Sequence, residues 1–220
     1  MKREEKVQFL IRELKILYPN ARCQLDYGEM PERLLIATIL SAQTTDTAVN
    51  KVTPGLWERY PTMEALASAD RYEVEELLNS IGLFRNKTAS ITKAAGFIAL
   101  KGLPDTINEL VKIPGVGRKT ANVIMGEVFG RPSITVDTHV KRLSERLGLS
   151  GSSNPDMIEK DLKEIIPLEE QTMFSHRLIS HGRAVCRARN PLCPSCTLRE
   201  HCPAYKEGAL KKGSHPEQNQ

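Results

Sequence analysis

The chain has 220 residues, of which 40% are apolar and 26% charged, and a formal net charge of +4. This is an ordinary globular balance, long enough to bury a core and without a disorder signature before the tail. The N-terminus runs into an amphipathic pattern, not an apolar signal segment, and no apolar run approaches the roughly 18 residues of a membrane span. We therefore expect a soluble protein of the cytoplasm or nucleoid.

Helical periodicity dominates the sequence, and no convincing strand alternation is present. Apolar residues at helical spacing predict an amphipathic first helix that Pro19 ends. The almost wholly apolar run 34–40 predicts a buried central helix, and the polar stretch 41–46 follows it. Polar groups next to such a helix need partners, so this stretch is a candidate for more than a linker.

A capped helix is expected to begin at Asp70, with Glu73 as its capping-box partner and Gly82 as the C′ glycine that ends it. Residues 83–87 are then expected to form a turn with two apolar side chains and two cations, before a helix from about 87 to 100. Exposed apolar side chains on a turn can act as wedges between base steps. Ordinary packing under the loop is the alternative, and from the residues alone it is the stronger interpretation.

The central motif of the sequence is IPGVGRKTA at residues 113–121. Pro114 ends a short helix, and Gly115 and Gly117 allow a sharp turn and close approach to another molecule. A second helix follows over 120–128, and the unpaired N–H groups at its start favour an anion such as a DNA phosphate. A purely structural glycine turn is an equally good interpretation of this motif alone.

Further along, residues 132–136 are predicted to be extended, with Asp137 at the N-cap of a helix over 138–147. Asn154 and Pro155 begin the next helix, and a last helix leads to a group of cysteines. Positive charge concentrates in this C-terminal region. A basic segment beside the hairpin motif predicts a polyanionic partner, with a merely solvated tail as the alternative.

Four of the five cysteines cluster with spacings of six, two and five residues, at Cys186, Cys193, Cys196 and Cys202. In an intracellular protein this clustering favours metal over disulfide bonds, and four thiolates suit either a structural zinc or an iron–sulfur cluster. The spacing alone leaves both open. Cys23 is expected to be a small core residue, and His176 and His181 to be structural.

The sequence resembles the endonuclease III family of DNA glycosylases, in the helix-hairpin-helix superfamily. Four features carry the resemblance: the hairpin motif, LSAQTTD at 40–46, VDTHV at 136–140 and the cysteine cluster. These motifs span most of the chain. The resemblance implies a [4Fe–4S] cluster on the four cysteines, at a site whose simplest role is to fix a loop. It also implies an all-α, two-lobed fold.

In that fold, 23–133 would be a helical barrel domain with the hairpin, and 1–22 with 134–207 an iron–sulfur domain. Residues 208–220 are polar and expected to be disordered. The implied activity is that of a monomeric, bifunctional DNA N-glycosylase and abasic-site lyase that removes oxidised pyrimidines from duplex DNA in base excision repair.

The resemblance makes Lys119 the nucleophile that forms a Schiff base at C1′ of the sugar, and Asp137 the group that takes protons and stabilises positive charge. We expect partial burial and the positive end of its helix to favour the neutral amine of Lys119. The active site should lie in a cleft between these two residues, which come from different lobes. A phosphate contact for Lys119 and a pure N-cap for Asp137 are the alternatives.

The same resemblance predicts DNA contacts. Gln43 would enter the duplex near the lesion and read the orphaned base, unless it only caps and bridges neighbouring helices. Leu83 would prop open a base step. Contacts to the DNA backbone are expected from the hairpin and the cysteine loop, at Gly115, Gly117, Arg118, Arg187 and Arg189.

Other functions are compatible with many of these motifs. Thymine-mismatch and pyrimidine-dimer glycosylases share them. Adenine-mismatch relatives carry a catalytic Glu in the segment that corresponds to residues 41–46, whereas this segment here contains Gln43 and no Glu. A non-catalytic module that binds damaged DNA is an alternative of another class. The presence of both Lys119 and Asp137 favours an enzyme.

Overall fold

The computed structural model describes residues 3–28 and 30–208, and all regular secondary structure in these ranges is helical. The all-α prediction is therefore confirmed for this part of the chain. No helix there has the length and apolar character needed to cross a membrane. The expected disorder of the C-terminal tail concerns residues that lie outside the described ranges from 209 onwards.

The helices, in chain order, are α1 (Arg3–Leu17), α2 (Pro31–Leu40), α3 (Asp46–Arg59), α4 (Met63–Ala67), α5 (Arg71–Leu78), α6 (Phe84–Lys101), α7 (Ile107–Leu110), α8 (Arg118–Glu127), α9 (Thr138–Arg146), α10 (Pro155–Ile165), α11 (Gln171–Ala184) and α12 (Pro203–Lys206). Three short 3₁₀ turns complete the regular structure, at Leu168–Glu170, Cys193–Ser195 and Arg199–His201.

The chain forms two compact units, each with its own hydrophobic core. The hairpin unit is Cys23–Arg131, and the cysteine unit combines Met1–Arg22 with Pro132–Gln220. In the hairpin unit, residues 34–40 of α2 are all buried, as the apolar run predicts, and α2, α4 and α5 pack on the long helix α6. Cys23 packs against this core.

In the cysteine unit, α11 packs against both α1 and α9. Leu10, Leu14 and Phe174 are fully buried in its core, because apolar residues spaced three and four apart place one face of each helix inward. The predicted N-caps Asp137 and Asn154 are confirmed, since each side chain accepts backbone N–H bonds at the start of α9 and α10. These caps fix where both helices begin.

The end of α5 and the start of α6 differ from the prediction. Helix α5 ends at Leu78 with Asn79 as its C-cap, four residues before the end expected at Gly82. Helix α6 begins at Phe84, so the expected turn over 83–87 is largely helical. Leu83 is the N-cap of α6, and its φ of +60°, in the left-handed region, marks where this helix begins.

The expected capping box of α5 is only half present. Asp70 accepts the backbone N–H bonds of Tyr72 and Glu73, as predicted. The Glu73 carboxylate, however, accepts hydrogen bonds from the Tyr60 hydroxyl at 2.8 Å and the Arg59 guanidinium at 2.9 Å. Charge-assisted bonds of this kind outweigh a return to the cap, so this side chain joins α5 to the end of α3.

Candidate active-site residues and cysteine cluster

The glycine hairpin packs directly on the core of its unit. Gly115 has a φ of +83°, and a Cβ on it would lie 3.0 Å from Cβ of Ser90 and 3.3 Å from Cγ2 of Ile39. A glycine is therefore required here both by backbone conformation and by space. Gly117 is the N-cap of α8 and has no side chain that could cap the first turn, and the start of a helix is where an anion binds favourably.

Lys119 lies in the first turn of α8, and its side chain is exposed. The buried face of this helix is taken by residues such as Ala121 and Ile124, so the expected partial burial of Lys119 is wrong. The residues that the structure describes offer its ammonium no hydrogen-bond or ion-pair partner. Its neighbour Arg118 is also exposed. The amine is thus presented to solvent beside the hairpin.

Asp137 is half-buried and held by its helix. Its Oδ1 accepts the N–H bonds of His139 and Val140, each at 2.8 Å. Oδ2 accepts no hydrogen bond from the described residues. The cap therefore orients the carboxylate with one oxygen and leaves the other for chemistry. Asp137 belongs to the cysteine unit and Lys119 to the hairpin unit.

His139 lies between α9 and α11. Its Nδ1 is 3.0 Å from Nη2 of Arg142, and Arg142 also donates to the Gly182 carbonyl at 3.0 Å. Burial lowers the pKa of His139, against the opposing influence of the Asp137 carboxylate. The second residue after the helix cap thus packs against α11 beside Gly182.

Gln43 and Leu83 both sit in exposed loops with unusual backbone conformations. Gln43 has a φ of +54° and Leu83 a φ of +60°, and Leu83 is 56% exposed. Non-glycine residues in the left-handed region are strained by about 1–3 kcal/mol, and such strain is concentrated at functional sites. Arg187 and Arg189 are exposed in the segment after α11.

The four clustered cysteines are free and line one pocket of the cysteine unit, together with Leu143, Leu147, His181 and Leu198. Backbone N–H groups point at their sulfurs, with Leu198 donating to Cys196 and with Ala204 and Tyr205 donating to Cys202. No group of three or more His, Cys, Asp or Glu side chains within the described ranges is arranged to hold a metal ion.

The charge state of these thiols reflects their confinement. Burial raises the pKa of Cys196 to about 11, and burial with repulsion from neighbouring sulfurs also raises the pKa of Cys193 and Cys202. Burial thus favours the protonated form of these three thiols, and a metal that binds them would have to displace their protons. His181 lies 3.5 Å from the Cys196 sulfur through Nε2 and 3.0 Å from the Tyr18 hydroxyl through Nδ1, and burial lowers its pKa to about 4.

Two arginines that the sequence analysis missed join α9 to the cysteine segment. Arg142 donates to the Cys186 carbonyl at 3.1 Å, and Arg146 donates to the Cys186 sulfur at 3.3 Å and the Arg187 carbonyl at 2.7 Å. Their spacing of four residues on the helix that Asp137 caps is a visible signal, because it places both on one face. The partners, however, are forty or more residues away in sequence.

This geometry agrees with comparisons to known proteins. Residues 36–168 match the model of the HhH-GPD superfamily base excision DNA repair proteins. An endonuclease III of a Synechocystis species is 53% identical over 195 residues, covering 87% of this chain and 89% of the relative. The endonuclease III of Bacillus subtilis (strain 168) is 39% identical over 216 residues, covering 94% of this chain and 98% of that protein.

Among solved structures, a trapped endonuclease III–DNA covalent intermediate with an estranged adenine superposes with a TM-score of 0.89. It is 42% identical and covers 95% of this chain and 100% of its own. The chain belongs to the HhH-GPD superfamily of base excision DNA repair proteins. Within that class its curated relatives are endonucleases III, so the resemblance seen in the sequence is confirmed. Endonuclease III proteins carry an iron–sulfur cluster.

Proposed function

We propose that this chain is a bifunctional DNA glycosylase and abasic-site lyase of base excision repair, that it removes oxidised pyrimidines from duplex DNA, and that Lys119 is its nucleophile. The observation that carries the proposal is the exposed, unpaired ammonium of Lys119 in the first turn of the hairpin helix. An amine held by a carboxylate would be less able to attack. The covalent intermediate of the 42% identical endonuclease III supports a nucleophile of this kind.

The reaction begins with the damaged nucleotide turned out of the stack. The neutral amine of Lys119 forms a bond to C1′ while the bond from C1′ to the base breaks, and the base leaves with a proton. The nitrogen of the adduct then gives its remaining proton to O4′ as the bond from C1′ to O4′ breaks, which opens the sugar ring and leaves an imine between Lys119 and C1′. That imine acidifies the C2′ proton, whose removal expels the 3′ phosphate by β-elimination.

Asp137 assists through its second carboxylate oxygen. Because Oδ1 is occupied by the backbone of α9, Oδ2 has a fixed direction in which to accept a proton or to stabilise positive charge on the sugar. The cap therefore serves the chemistry by orienting the base. Lys119 and Asp137 act together on one nucleotide in this proposal.

DNA is held by several segments in the proposal. The N–H groups of the hairpin, at Gly115 and Gly117, and the cation of Arg118 bind backbone phosphates at the start of α8. Gln43 and Leu83 enter the duplex around the displaced nucleotide, which their exposure and backbone conformation support. Such a substrate places the protein at the nucleoid.

The four clustered cysteines are the proposed ligands of a [4Fe–4S] cluster. They share one pocket, Cys196 and Cys202 receive backbone N–H bonds, and Cys186 accepts a hydrogen bond from the Arg146 cation. These contacts suit a negatively charged iron–sulfur centre. The bound cluster would supply a fixed crosslink between residues 186 and 202. Arg187 and Arg189, inside that segment, would then face phosphates from a rigid loop.

Borohydride trapping tests the nucleophile. The native protein and Lys119→Gln are incubated with a duplex that contains one abasic site, and covalent adducts are counted after reduction. We expect an adduct with the native protein, none with Lys119→Gln, and an undiminished adduct with Lys93→Gln, which removes an exposed lysine of α6. An adduct that persists in Lys119→Gln would contradict the assignment, and duplexes with oxidised pyrimidines or mismatched thymine would define the base removed.

A further inference from the structure

One charged side chain inside the hairpin unit has no part in the function proposed so far. Lys87, in the first turns of α6, is only 5% exposed. Its ammonium donates a hydrogen bond to the hydroxyl of Thr44, and no described carboxylate pairs with it. Burial lowers the pKa of Lys87. A buried charge without an opposite charge is costly, so an apolar residue would stabilise this position better.

The location of Lys87 indicates what the charge does. Two loops of the hairpin unit contain a strained residue, namely the glutamine loop (residues 41–45, between α2 and α3) and the leucine loop (residues 79–83, between α5 and α6). Lys87 binds both. Its backbone N–H donates to the Leu83 carbonyl at 3.0 Å, and its side chain reaches Thr44.

The hydrogen bonds continue through the glutamine loop to the residue before Gln43. Having accepted from Lys87, the Thr44 hydroxyl donates to the Ala42 carbonyl at 3.5 Å. The Thr44 N–H donates to the Ser41 carbonyl at 3.1 Å. Both neighbours of Gln43 are thereby fixed, which is what a non-glycine residue at a φ of +54° requires from its surroundings.

Helix α6 also contacts the third DNA-facing segment of the proposal. Ser90, three residues after Lys87, is the side chain against which Gly115 of the hairpin packs. Lys87 and Ser90 are three residues apart and therefore share one face of the helix, and Leu83 is the N-cap at its start. This face therefore sets the relative position of the two loops and the glycine hairpin.

We infer that Lys87 is a positioning residue that holds the glutamine loop at a fixed place relative to Leu83. The side chains of Gln43 and Leu83 are thereby preformed for entry into DNA, and discrimination of the base opposite the lesion depends on the hydrogen bond between Lys87 and Thr44. The inference rests on the proposed function for its effect on DNA, but the link itself belongs to the free protein. Preformed loops avoid the cost of ordering during binding.

The first test is hydrogen exchange of the full-length protein without DNA. Lys87→Met removes the ammonium while keeping an unbranched side chain, Thr44→Val removes the acceptor, and Lys93→Met on the exposed side of α6 is the matched control. Loss of a charge-assisted bond is expected to speed exchange of the Thr44 amide about tenfold in both Lys87→Met and Thr44→Val. Amide exchange at residue 44 in the double variant should be no faster than in either single variant. The exchange rate in Lys93→Met should match that of the native protein.

Unchanged exchange in Thr44→Val, or an additive double variant, would overturn the link. Thr44 is only partly buried, so this variant decides the question even if Lys87→Met does not fold. The second test measures single-turnover cleavage of duplexes with one abasic site opposite each of the four bases. The ratio of the cleavage rates of the best and the worst duplex is expected to shrink about tenfold in folded Lys87→Met and in Thr44→Val. It should not change in Lys93→Met.

An unchanged ratio with faster exchange would overturn the role in discrimination. If the native protein cleaves none of the four duplexes, the proposed function is wrong, while the exchange data still decide whether Lys87 fixes the loop. A general loss of stability would lower cleavage of all four duplexes alike, so the ratio separates positioning from simple destabilisation.

Discussion

Gly182 of α11 lies directly against His139 of α9: a Cβ on Gly182 would be 2.8 Å from Nδ1 and 2.9 Å from Cβ of the histidine. Few real Cβ contacts are so short, and the histidine is held in place by Arg142. The close approach of the two helices therefore depends on the absence of a side chain at 182. Since α9 carries Asp137 at its N-cap, the same contact bears on the position of the proposed catalytic carboxylate.

Gly182→Ala is expected to destabilise the protein by about 1–3 kcal/mol, because the added methyl group has to displace the His139 ring or separate the helices. Thermal or denaturant unfolding measures this change. Gly151→Ala in the same unit is the control, since nothing lies within 4 Å of a Cβ there. Equal stabilities of the two variants would contradict the predicted clash.

Substitutions of Asp137 separate its two roles. Asp137→Asn keeps an oxygen that can accept the two N–H bonds of α9, so stability should change little while glycosylase activity falls about 100-fold or more. Asp137→Ala loses the cap as well and should cost about 1 kcal/mol of stability. Unfolding and single-turnover base release are measured on the same samples. Wild-type activity in Asp137→Asn would show that the residue is only a cap.

Removal of one proposed cluster ligand is expected to release iron and destabilise the cysteine unit. Cys202→Ser should abolish the iron and sulfide content and lower the melting temperature by about 10 °C. Cys23→Ser, in the other unit, should keep the cluster content and the melting temperature of the native protein. Metal analysis and visible absorbance give the cluster content. Full iron content in Cys202→Ser would remove this cysteine from the ligand set.

Leu83 provides a case in which stability and activity should move in opposite directions. Leu83→Asn places a residue that tolerates the left-handed region at a position that is 56% exposed, so stability should stay equal or rise by a few tenths of a kcal/mol. Loss of the apolar wedge should lower cleavage of damaged duplex about tenfold. Normal cleavage by this variant would mean that Leu83 does not enter the duplex.

Lys87 should make stability depend on alkaline pH. Its folded-state pKa is lowered by burial from 10.5, so above that lowered pKa the unfolded chain binds a proton that the folded chain has lost. The free energy of unfolding of the native protein should therefore rise, relative to Lys87→Met, as the pH increases toward 10.5. Unfolding of both proteins across this range measures the difference. Parallel pH profiles would show that Lys87 titrates normally.

The sequence by itself determined the features that depend on neighbours along the chain. Proline, paired glycines and capping side chains act within a few residues, so local residue patterns are enough to place the hairpin at 113–121 and the cap at Asp137. The same holds for the buried run of α2 and for the family, because its motifs are short and local. Helix α3 was not predicted, since Pro54 inside it interrupts the usual pattern.

Only the tertiary structure decided which side chains meet over long separations. Lys87 is a buried residue because α2 and α6 pack together, and nothing near it in sequence announces Thr44 as its partner. Likewise, Arg146 finds Cys186 forty residues away, and Lys119 is exposed because its neighbours take the inner face of α8. Packing places an entire helix face at once, so the surroundings of one side chain depend on elements that are remote in the chain.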